Sequence, residues 1–253
     1  MLNALMSALL QVSDLQKSFG AVVVADATSF EISEGEAVGI LGPNGAGKTS
    51  LFNLITGTLR SDGGSIGFSG ADITNQSAAA RCKAGIARSF QIPQPFGGMT
   101  VFENALVGAT QGAGLSGHAA EDHALSVLED TGLLAKANAR AGTLTLLERK
   151  RLELTRALSA KPKLLLLDEI AGGLTEAECQ SLIATIKSIH VRGTTIVWIE
   201  HVVHALLAVV ERIIVIDFGR KIAEGDPKTI MESPEVKEIY LGVHPDACGT
   251  VAA

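Results

Sequence analysis

Residues 42–49 carry the strongest chemical signal in this sequence. They read Gly-Pro-Asn-Gly-Ala-Gly-Lys-Thr and match every fixed position of the phosphate-binding pattern G-x-x-x-x-G-K-[ST]. The glycines let backbone N–H groups wrap around phosphate oxygens, because no Cβ atom blocks the approach. Lys48 adds a positive charge, and the Thr49 hydroxyl can bind Mg²⁺. The residues predicted to contact the phosphates are Gly42, Pro43, Asn44, Gly45, Ala46, Gly47, Lys48, Thr49 and Ser50.

Two adjacent carboxylates follow a leucine-rich run. Residues 164–167 are all leucine, and Asp168 and Glu169 come directly after them. An acid at the carboxyl end of a buried parallel strand beside a phosphate loop can hold the Mg²⁺ shell, which suits Asp168. Glu169 points in another direction and can activate water as a general base. The structural alternative is that both acids only begin the next helix.

Two further polar residues follow predicted strands. His201 comes after the apolar run 194–199 and Glu200, and Gln91 ends the run 86–90. His201 in that place can reach a γ-phosphate, and Gln91 can bind the γ-phosphate or a water molecule on the metal. Each residue taken alone is more often structural than functional. Their order after the phosphate loop is what makes them candidates.

The elements that must position these residues can be inferred from apolar periodicity. Residues 37–41 predict a buried strand before the loop, and a helix opens at Lys48 with its positive dipole end toward the phosphates. Residues 8–41 are rich in strands, whereas 93–160 show helical spacing, with a capping-box pattern at Thr100. Strands return at 163–168, 194–199, 213–217 and 221–223. A helical subdomain inserted into an α/β core explains this order.

Composition excludes several classes of protein. The chain of 253 residues is 47% hydrophobic, with a mean hydropathy of +0.30, which predicts one globular domain. A net charge of −6 argues against nucleic acid as a partner. No apolar stretch approaches the roughly 18 residues that span a bilayer, so membrane work would require docking. The N-terminal segment lacks the basic region of a signal peptide, and three cysteines without ligand spacing are expected to be reduced thiols in the cytosol.

Together the motifs resemble the nucleotide-binding subunit of an ABC transporter. The Walker A motif is 42–49, the Q-loop glutamine is Gln91, the Walker B motif with its catalytic acid is 164–169, and the switch histidine is His201. The resemblance implies a P-loop NTPase (RecA-like) α/β core with an antiparallel β subdomain and an inserted α-helical subdomain. The implied parts are one cassette domain at 8–242, with its core at 8–91 and 161–242, its helical subdomain at 92–160, and a tail at 243–253.

Two stretches resemble the branched-chain amino-acid uptake subfamily. They are Gly85–Gln91 with Phe96–Asn104, and the closing segment Asp217–Gly225. The resemblance implies cytosolic ATPase subunits at the inner face of the plasma membrane. Such subunits pair face to face around two Mg·ATP and drive a permease that is fed by a periplasmic binding protein. Phe19 falls where the family stacks an aromatic ring on adenine, although a core position at a strand end explains it equally well.

The departure from the family lies in residues 144–148. The usual Leu-Ser-Gly-Gly-Gln is here Leu-Thr-Leu-Leu-Glu. Thr145 keeps a hydroxyl for the γ-phosphate of the partner's ATP, whereas two leucines crowd the backbone amides and Glu148 adds a negative charge. We expect a weakened composite site, and because a homodimer would carry the defect twice, a heterodimer is favoured. The cations at 149–151 either offset Glu148 or form a solvated helix face.

Other functions remain open from the sequence. Urea or amide importers and a lipopolysaccharide exporter share most of these motifs. A soluble ABC-type ATP switch is a different class, but its members usually carry two nucleotide domains or a long coiled coil. A P-loop kinase would transfer phosphate to a small acceptor, but Glu169, adjacent to Asp168, and the position of His201 after a strand end fit water activation better. The solute itself cannot be read from this chain.

Overall fold

The strand-rich entry, the helical segment and the returning strands come in the order that the sequence predicts. The structure is a computed structural model and describes residues 8–241. These residues form the strands Ala8–Phe19 (β1), Val22–Ser33 (β2), Ala37–Leu41 (β3), Gly63–Phe68 (β4), Ala71–Asp72 (β5), Ile86–Ser89 (β6), Leu164–Asp168 (β7), Thr195–Ile199 (β8), Arg212–Asp217 (β9) and Arg220–Gly225 (β10). They also form the helices Lys48–Thr56 (α1), Ala78–Ala84 (α2), Val101–Val107 (α3), Gly117–Asp130 (α4), Leu146–Ser159 (α5), Glu176–Val191 (α6), Val203–Leu207 (α7), Pro227–Glu232 (α8) and Pro234–Leu241 (α9).

A mostly parallel sheet positions the candidate site. Its strand order is β10-β9-β3-β8-β7-β6, and only β10 runs antiparallel to its neighbour. Strands β3, β7 and β8 are buried at every position, which explains their nearly continuous apolar sequences. Because parallel strands share a direction, the carboxyl ends of β3, β6, β7 and β8 meet at one edge of the sheet. The phosphate loop and all the predicted polar candidates that follow strands lie at that edge.

A second sheet covers the first helix. It is antiparallel, with the order β2-β1-β4-β5. Its inward side chains, such as Leu10 and Ile32, share one buried core with Phe52 of α1 and with Ile40 and Val197 of the parallel sheet. This shared core fixes α1, and with it the phosphate loop, between the two sheets.

The segment between β6 and β7 is helical and has its own small core. Helices α3, α4 and α5 pack around Val101, Leu128, Leu144 and Leu152, all of which are buried. Helix α3 begins with a complete capping box between Thr100 and Glu103, which confirms the spacing argument. The subdomain limits inferred from the sequence stay predictions.

Several boundaries differ from the sequence prediction. Apolar residues at a spacing of three and four predict a helix at 121–134. The observed helix α4 spans 117–130 and ends earlier because the chain turns at Gly132, whose φ is +72°. The short helix α2 was not predicted, since its run of alanines shows little apolar periodicity. Strands β1 and β2 are each 12 residues long, whereas the apolar runs that indicated them cover only residues 8–12 and 22–32. No helix within residues 8–241 has the length and hydrophobicity needed to cross a bilayer.

Candidate functional site

The loop between β3 and α1 is fixed by close backbone contacts. A Cβ atom at Gly47, whose φ is +99°, would lie 2.3 Å from the carbonyl oxygen of Val24. A Cβ atom at Gly42 would lie 2.1 Å from the carbonyl oxygen of Ile216. The loop is therefore held between β2 and β9, and only glycine fits at these two places. Helix α1 begins without a side-chain cap, so its first N–H groups are available to an anion.

Lys48 lies inside the loop. Its Nζ donates hydrogen bonds to the carbonyl oxygens of Gly42 and Pro43, at 2.7 and 2.8 Å. Burial lowers the pKa of Lys48, and the nearby charges of Glu169 and Asp168 oppose that shift. The loop carbonyls thus hold the ammonium group where the chain curls around it.

Glu169 follows β7 and contacts one residue after each of the neighbouring strands β6 and β8. Its Oε2 accepts a hydrogen bond of 2.5 Å from Nε2 of Gln91, and its Oε1 lies 2.7 Å from Nε2 of His201. Its backbone adopts φ +46°, an uncommon value for a residue with a side chain, and its N–H donates to the carbonyl oxygen of Ile199 at 2.8 Å. Gln91 follows β6, Glu169 follows β7 and His201 follows β8. The structure thus brings these three predicted residues into one cluster.

Asp168 precedes Glu169 but lies in a different environment. Its side chain is buried, and Oδ2 accepts a hydrogen bond from the Arg88 guanidinium. Burial raises the pKa of Asp168, and the bond from Arg88 opposes the rise. Oδ1 is also buried and has no hydrogen-bond partner among residues 8–241. A buried carboxylate oxygen without a partner is costly unless it binds something, and hard divalent cations prefer such oxygens.

A cavity of about 620 Å³ opens over the loop. It is large enough for a small-molecule ligand. It is lined by Val22, Val24, Asn44, Gly45, Ala46, Gly47, Lys48, Thr49, Ser50, Gln91, Glu169 and His201. Val22 and Val24 escaped the sequence analysis, because an apolar residue in a strand carries no chemical signal by itself. Six other residues that the sequence analysis named do not line this cavity: Phe19, Gly42, Pro43, Thr145, Glu148 and Asp168.

Phe19 ends β1 in the same hairpin that contributes Val22 to the cavity. Its side chain is 53% exposed, so the alternative of a core residue is wrong. Nζ of Lys17 lies 5.3 Å from the centroid of the ring, within cation–π range. Stacking of Phe19 on adenine stays a prediction.

Glu148 is neutralised by a cation outside the motif. It forms a capping box with Thr145 at the start of α5, and its other oxygen pairs with Nζ of Lys136. Hydrogen bonds from Lys136, then from Thr145, lower the pKa of the Glu148 carboxyl. Among the residues that the structure describes, no cation of 149–151 forms an ion pair with Glu148, so the expectation that they offset its charge is wrong. The alternative of a solvated face holds for Arg149, which is exposed, and fails for Lys150. Lys150 is buried, and its Nζ contacts the carbonyl oxygen of Glu169 at 3.4 Å.

Two charged residues that the sequence analysis missed support the site. Glu200 is buried and accepts hydrogen bonds from the N–H groups of Ala171, His201 and Val202 at 2.9, 2.9 and 3.3 Å. It thereby ties the segment after β7 to the segment after β8. Arg88 is the second, and its charge within the short strand β6 was a signal that could have been used.

This strand, loop and helix, with acids at the end of a neighbouring parallel strand, define a P-loop nucleoside triphosphatase. A sequence profile described as "ABC transporter" matches residues 25–172, and one described as "Branched-chain amino acid ATP-binding cassette transporter" matches residues 220–246. The chain belongs to the ATP-binding cassette family of ABC transporters. It is accordingly an ATPase subunit of a transporter.

Relatives and solved structures agree with this membership. The chain is 34% identical to the high-affinity branched-chain amino acid transport ATP-binding protein BraF of Pseudomonas aeruginosa, and 35% identical to LivG of Escherichia coli K12, which has the same descriptive name. Each match covers 92% of this chain and 98% of the relative. A crystal structure of an ABC-transporter cassette in its ADP conformation is similar, with a TM-score of 0.84 and 32% identity, over 93% of this chain and 99% of that one.

Proposed function

We propose that this chain hydrolyses Mg·ATP in the cavity over residues 42–50 and that hydrolysis drives import of branched-chain amino acids. The observation that carries the chemistry is the position of Glu169. Its carboxylate lines the cavity and is held by Gln91 and His201, so it is oriented before any substrate binds. The solute class is supported by the names of the relatives and by the profile matching residues 220–246.

The loop and α1 would bind the triphosphate. The backbone N–H groups of Gly45, Gly47 and the helix start would donate to the β- and γ-phosphates, and Lys48 would neutralise their charge. Thr49, Gln91 and Asp168 would hold Mg²⁺, and the unpartnered Oδ1 of Asp168 fits that assignment. When bound, the ion would offset the negative charge that develops on the phosphate oxygens. Phe19 would stack on the adenine.

Glu169 would act as the general base. Its carboxylate would accept a proton from the water that attacks the γ-phosphorus. Glu169 lines the cavity, and its carboxylate could accept that proton while it stays within hydrogen-bond range of Gln91 and His201. His201 and Gln91 would fix the direction of that carboxylate and sense the γ-phosphate. Because the backbone of Glu169 has a φ of +46°, a small movement of the segment after β7 would change the direction of the Glu169 carboxylate.

A permease would bind in a groove between the sheet and the helical segment. We name this the docking groove; it has a volume of about 500 Å³ and is lined by Phe90, Val107, Glu153, Arg156 and Ala157, among others. The residues that border it, 91–99, include two exposed apolar side chains, Ile92 and Phe96. Apolar surface exposed beside a groove favours a protein partner. The chain would therefore sit at the cytosolic face of the membrane, and a periplasmic binding protein would contact it only through the permease.

A second cassette would complete the site. Thr145 is exposed at the start of α5, where it could contact ATP bound to another subunit. The ion pair with Lys136 neutralises Glu148, so its charge no longer argues against a nucleotide there. The leucines at 146 and 147 still replace glycines and crowd the backbone amides. A sister subunit with intact glycines would give one unimpaired site per pair, so we favour a heterodimer. An ATP-dependent dimer formed by this chain alone would contradict that preference.

Lys136 should matter for activity although its ion pair is exposed. Lys136→Met leaves Glu148 uncompensated beside the partner's phosphates, so we expect ATP hydrolysis by the paired cassettes to fall about tenfold, equivalent to about 1.4 kcal/mol. The melting temperature should hardly change, because exposed ion pairs contribute about 0–1 kcal/mol. Adding Glu148→Gln to Lys136→Met should restore most of the rate.

The matched control for this prediction is Lys187→Met, which removes an exposed lysine of α6. It should have no effect on rate or stability. Full activity of the Lys136→Met variant, or failure of the double variant to recover, would show that the charge of Glu148 does not reach the partner's nucleotide.

Solute uptake tests the transport proposal. Deleting the gene for this chain in its native cell should abolish high-affinity uptake of labelled leucine, and the wild-type gene should restore it. A Lys48→Ala gene should not restore it, because the phosphates lose their fixed cation. Measuring uptake of labelled urea in the same cells distinguishes a branched-chain amino-acid importer from a urea importer. Unchanged uptake of leucine would overturn the assignment of solute.

A further inference from the structure

Arg88 is a buried cation that the proposed chemistry does not use. It lies on β6, opposite Leu166 of β7, and its side chain is only 5% exposed. Moving a guanidinium group out of water is costly unless its hydrogen bonds are replaced. The groups that accept its hydrogen bonds therefore indicate the structural role of Arg88.

The contacts of Arg88 join separate elements of the site. Nη2 donates to Oδ2 of Asp168, and Nη1 donates to Oδ1 of Asn53 in α1 at 2.6 Å. The guanidinium carbon also lies 5.5 Å from the centroid of the Phe52 ring and 5.0 Å from that of Phe90. A planar guanidinium can bridge two acceptors and stack on aromatic rings at once, which a lysine cannot do. Arg88 thus connects α1, β7 and the start of the segment that leads to Gln91.

The same side chain belongs to the docking groove. Arg88 and Phe90 both line it, and Phe90 is 50% exposed there. Asp168 does not line the groove, and its side chain is only 3% exposed. The guanidinium therefore stands between a surface that a partner can reach and a carboxylate that it cannot.

We propose that Arg88 is a positioning residue for Asp168. It holds one carboxylate oxygen, leaves the other free for the cation, and through Phe90 makes that carboxylate sensitive to occupation of the docking groove. The inference rests on the proposed role of Asp168 as a metal ligand. A partner that presses on the Phe90 ring would shift the stacked guanidinium, and with it the oxygen bound to Nη2.

Metal binding, rather than turnover, tests the proposal directly. The probe is Mn²⁺, counted by electron paramagnetic resonance in the full chain saturated with ADP. Arg88→Lys keeps the charge but loses the bridge and the stacking, so we expect Mn²⁺ to bind about tenfold more weakly. Affinity for a fluorescent ATP analogue in EDTA should stay within about twofold, because the phosphate loop is untouched.

A second variant tests the link to the groove. Phe90→Ala removes an exposed ring that does not line the cavity over residues 42–50, and it should weaken Mn²⁺ binding about threefold. Its matched control is Leu125→Ala, which trims a similarly exposed apolar side chain of α4, at 39%, and should leave binding unchanged. Phe90→Ala is expected to fold even if Arg88→Lys does not, because its ring is half exposed.

The variants and the wild-type chain report on different claims. Wild-type Mn²⁺ affinity in Arg88→Lys, or an effect of Phe90→Ala no larger than that of Leu125→Ala, would overturn the inference about Arg88. Absence of ADP-dependent Mn²⁺ binding in the wild-type chain would instead overturn the metal site on which it rests.

Discussion

Replacing Glu169 by glutamine is expected to lower phosphate release at saturating Mg·ATP by at least about a hundredfold, the usual size of a lost general base. Glutamine has nearly the same shape and can still hydrogen-bond to Gln91 and His201, so the cluster should persist. What it cannot do is accept the proton of the attacking water. ATP binding should therefore survive while turnover stops.

The measurement is phosphate release at saturating Mg·ATP, compared with binding of a fluorescent ATP analogue. Glu129→Gln is a suitable control, because Glu129 is an exposed acid of α4 outside the cavity. It should behave like the wild-type chain. A Glu169→Gln variant that releases phosphate at an undiminished rate would remove Glu169 from the chemistry and assign the proton to another acceptor.

Replacing Gly47 by alanine should abolish nucleotide binding, with a loss of affinity of at least about a hundredfold. The added Cβ atom would lie 2.3 Å from the carbonyl oxygen of Val24, so either the loop or β2 must move. The backbone at φ +99° adds strain of roughly 1–2 kcal/mol for any residue other than glycine. Both effects displace the N–H groups that would contact the phosphates.

A control separates the loop from general strain. Gly193 has a similar φ of +93°, a Cβ atom added there would meet nothing within 4 Å, and the residue lies outside the cavity. Gly193→Ala should lower the melting temperature slightly and leave ATP affinity unchanged. The measurement is titration with a fluorescent ATP analogue at a temperature where both variants are folded. Wild-type affinity in Gly47→Ala would mean that the contact with Val24 does not shape the loop.

Much of the fold could be read from local patterns. The loop motif required a strand before it and a helix after it, and β3 and α1 are in those places. The runs of buried leucine and isoleucine at β7 and β8 marked parallel strands, because strands covered on both faces need apolar residues throughout. Helix α2 was missed because its alanines lack a contrast between faces.

The candidate residues could be predicted because of where strands end. Gln91, Glu169 and His201 each come directly after, or two residues after, a predicted strand, and parallel strands bring such residues to one edge. The phosphate loop was predictable from spacing alone, since its geometry admits few residue types. The family resemblance rested on these same positions, and the profile and relatives confirm it.

The sequence by itself determined the order of the elements, the phosphate loop and the acids at the strand end. Only the tertiary structure decided which charged residues pair. Arg88 pairs with Asp168, and Glu148 pairs with Lys136 rather than with the cations that follow Glu148 in sequence. Strand and loop propensities depend on neighbours along the chain, whereas an ion pair depends on distances that packing alone sets. Residues far apart in sequence leave no local trace of their contact.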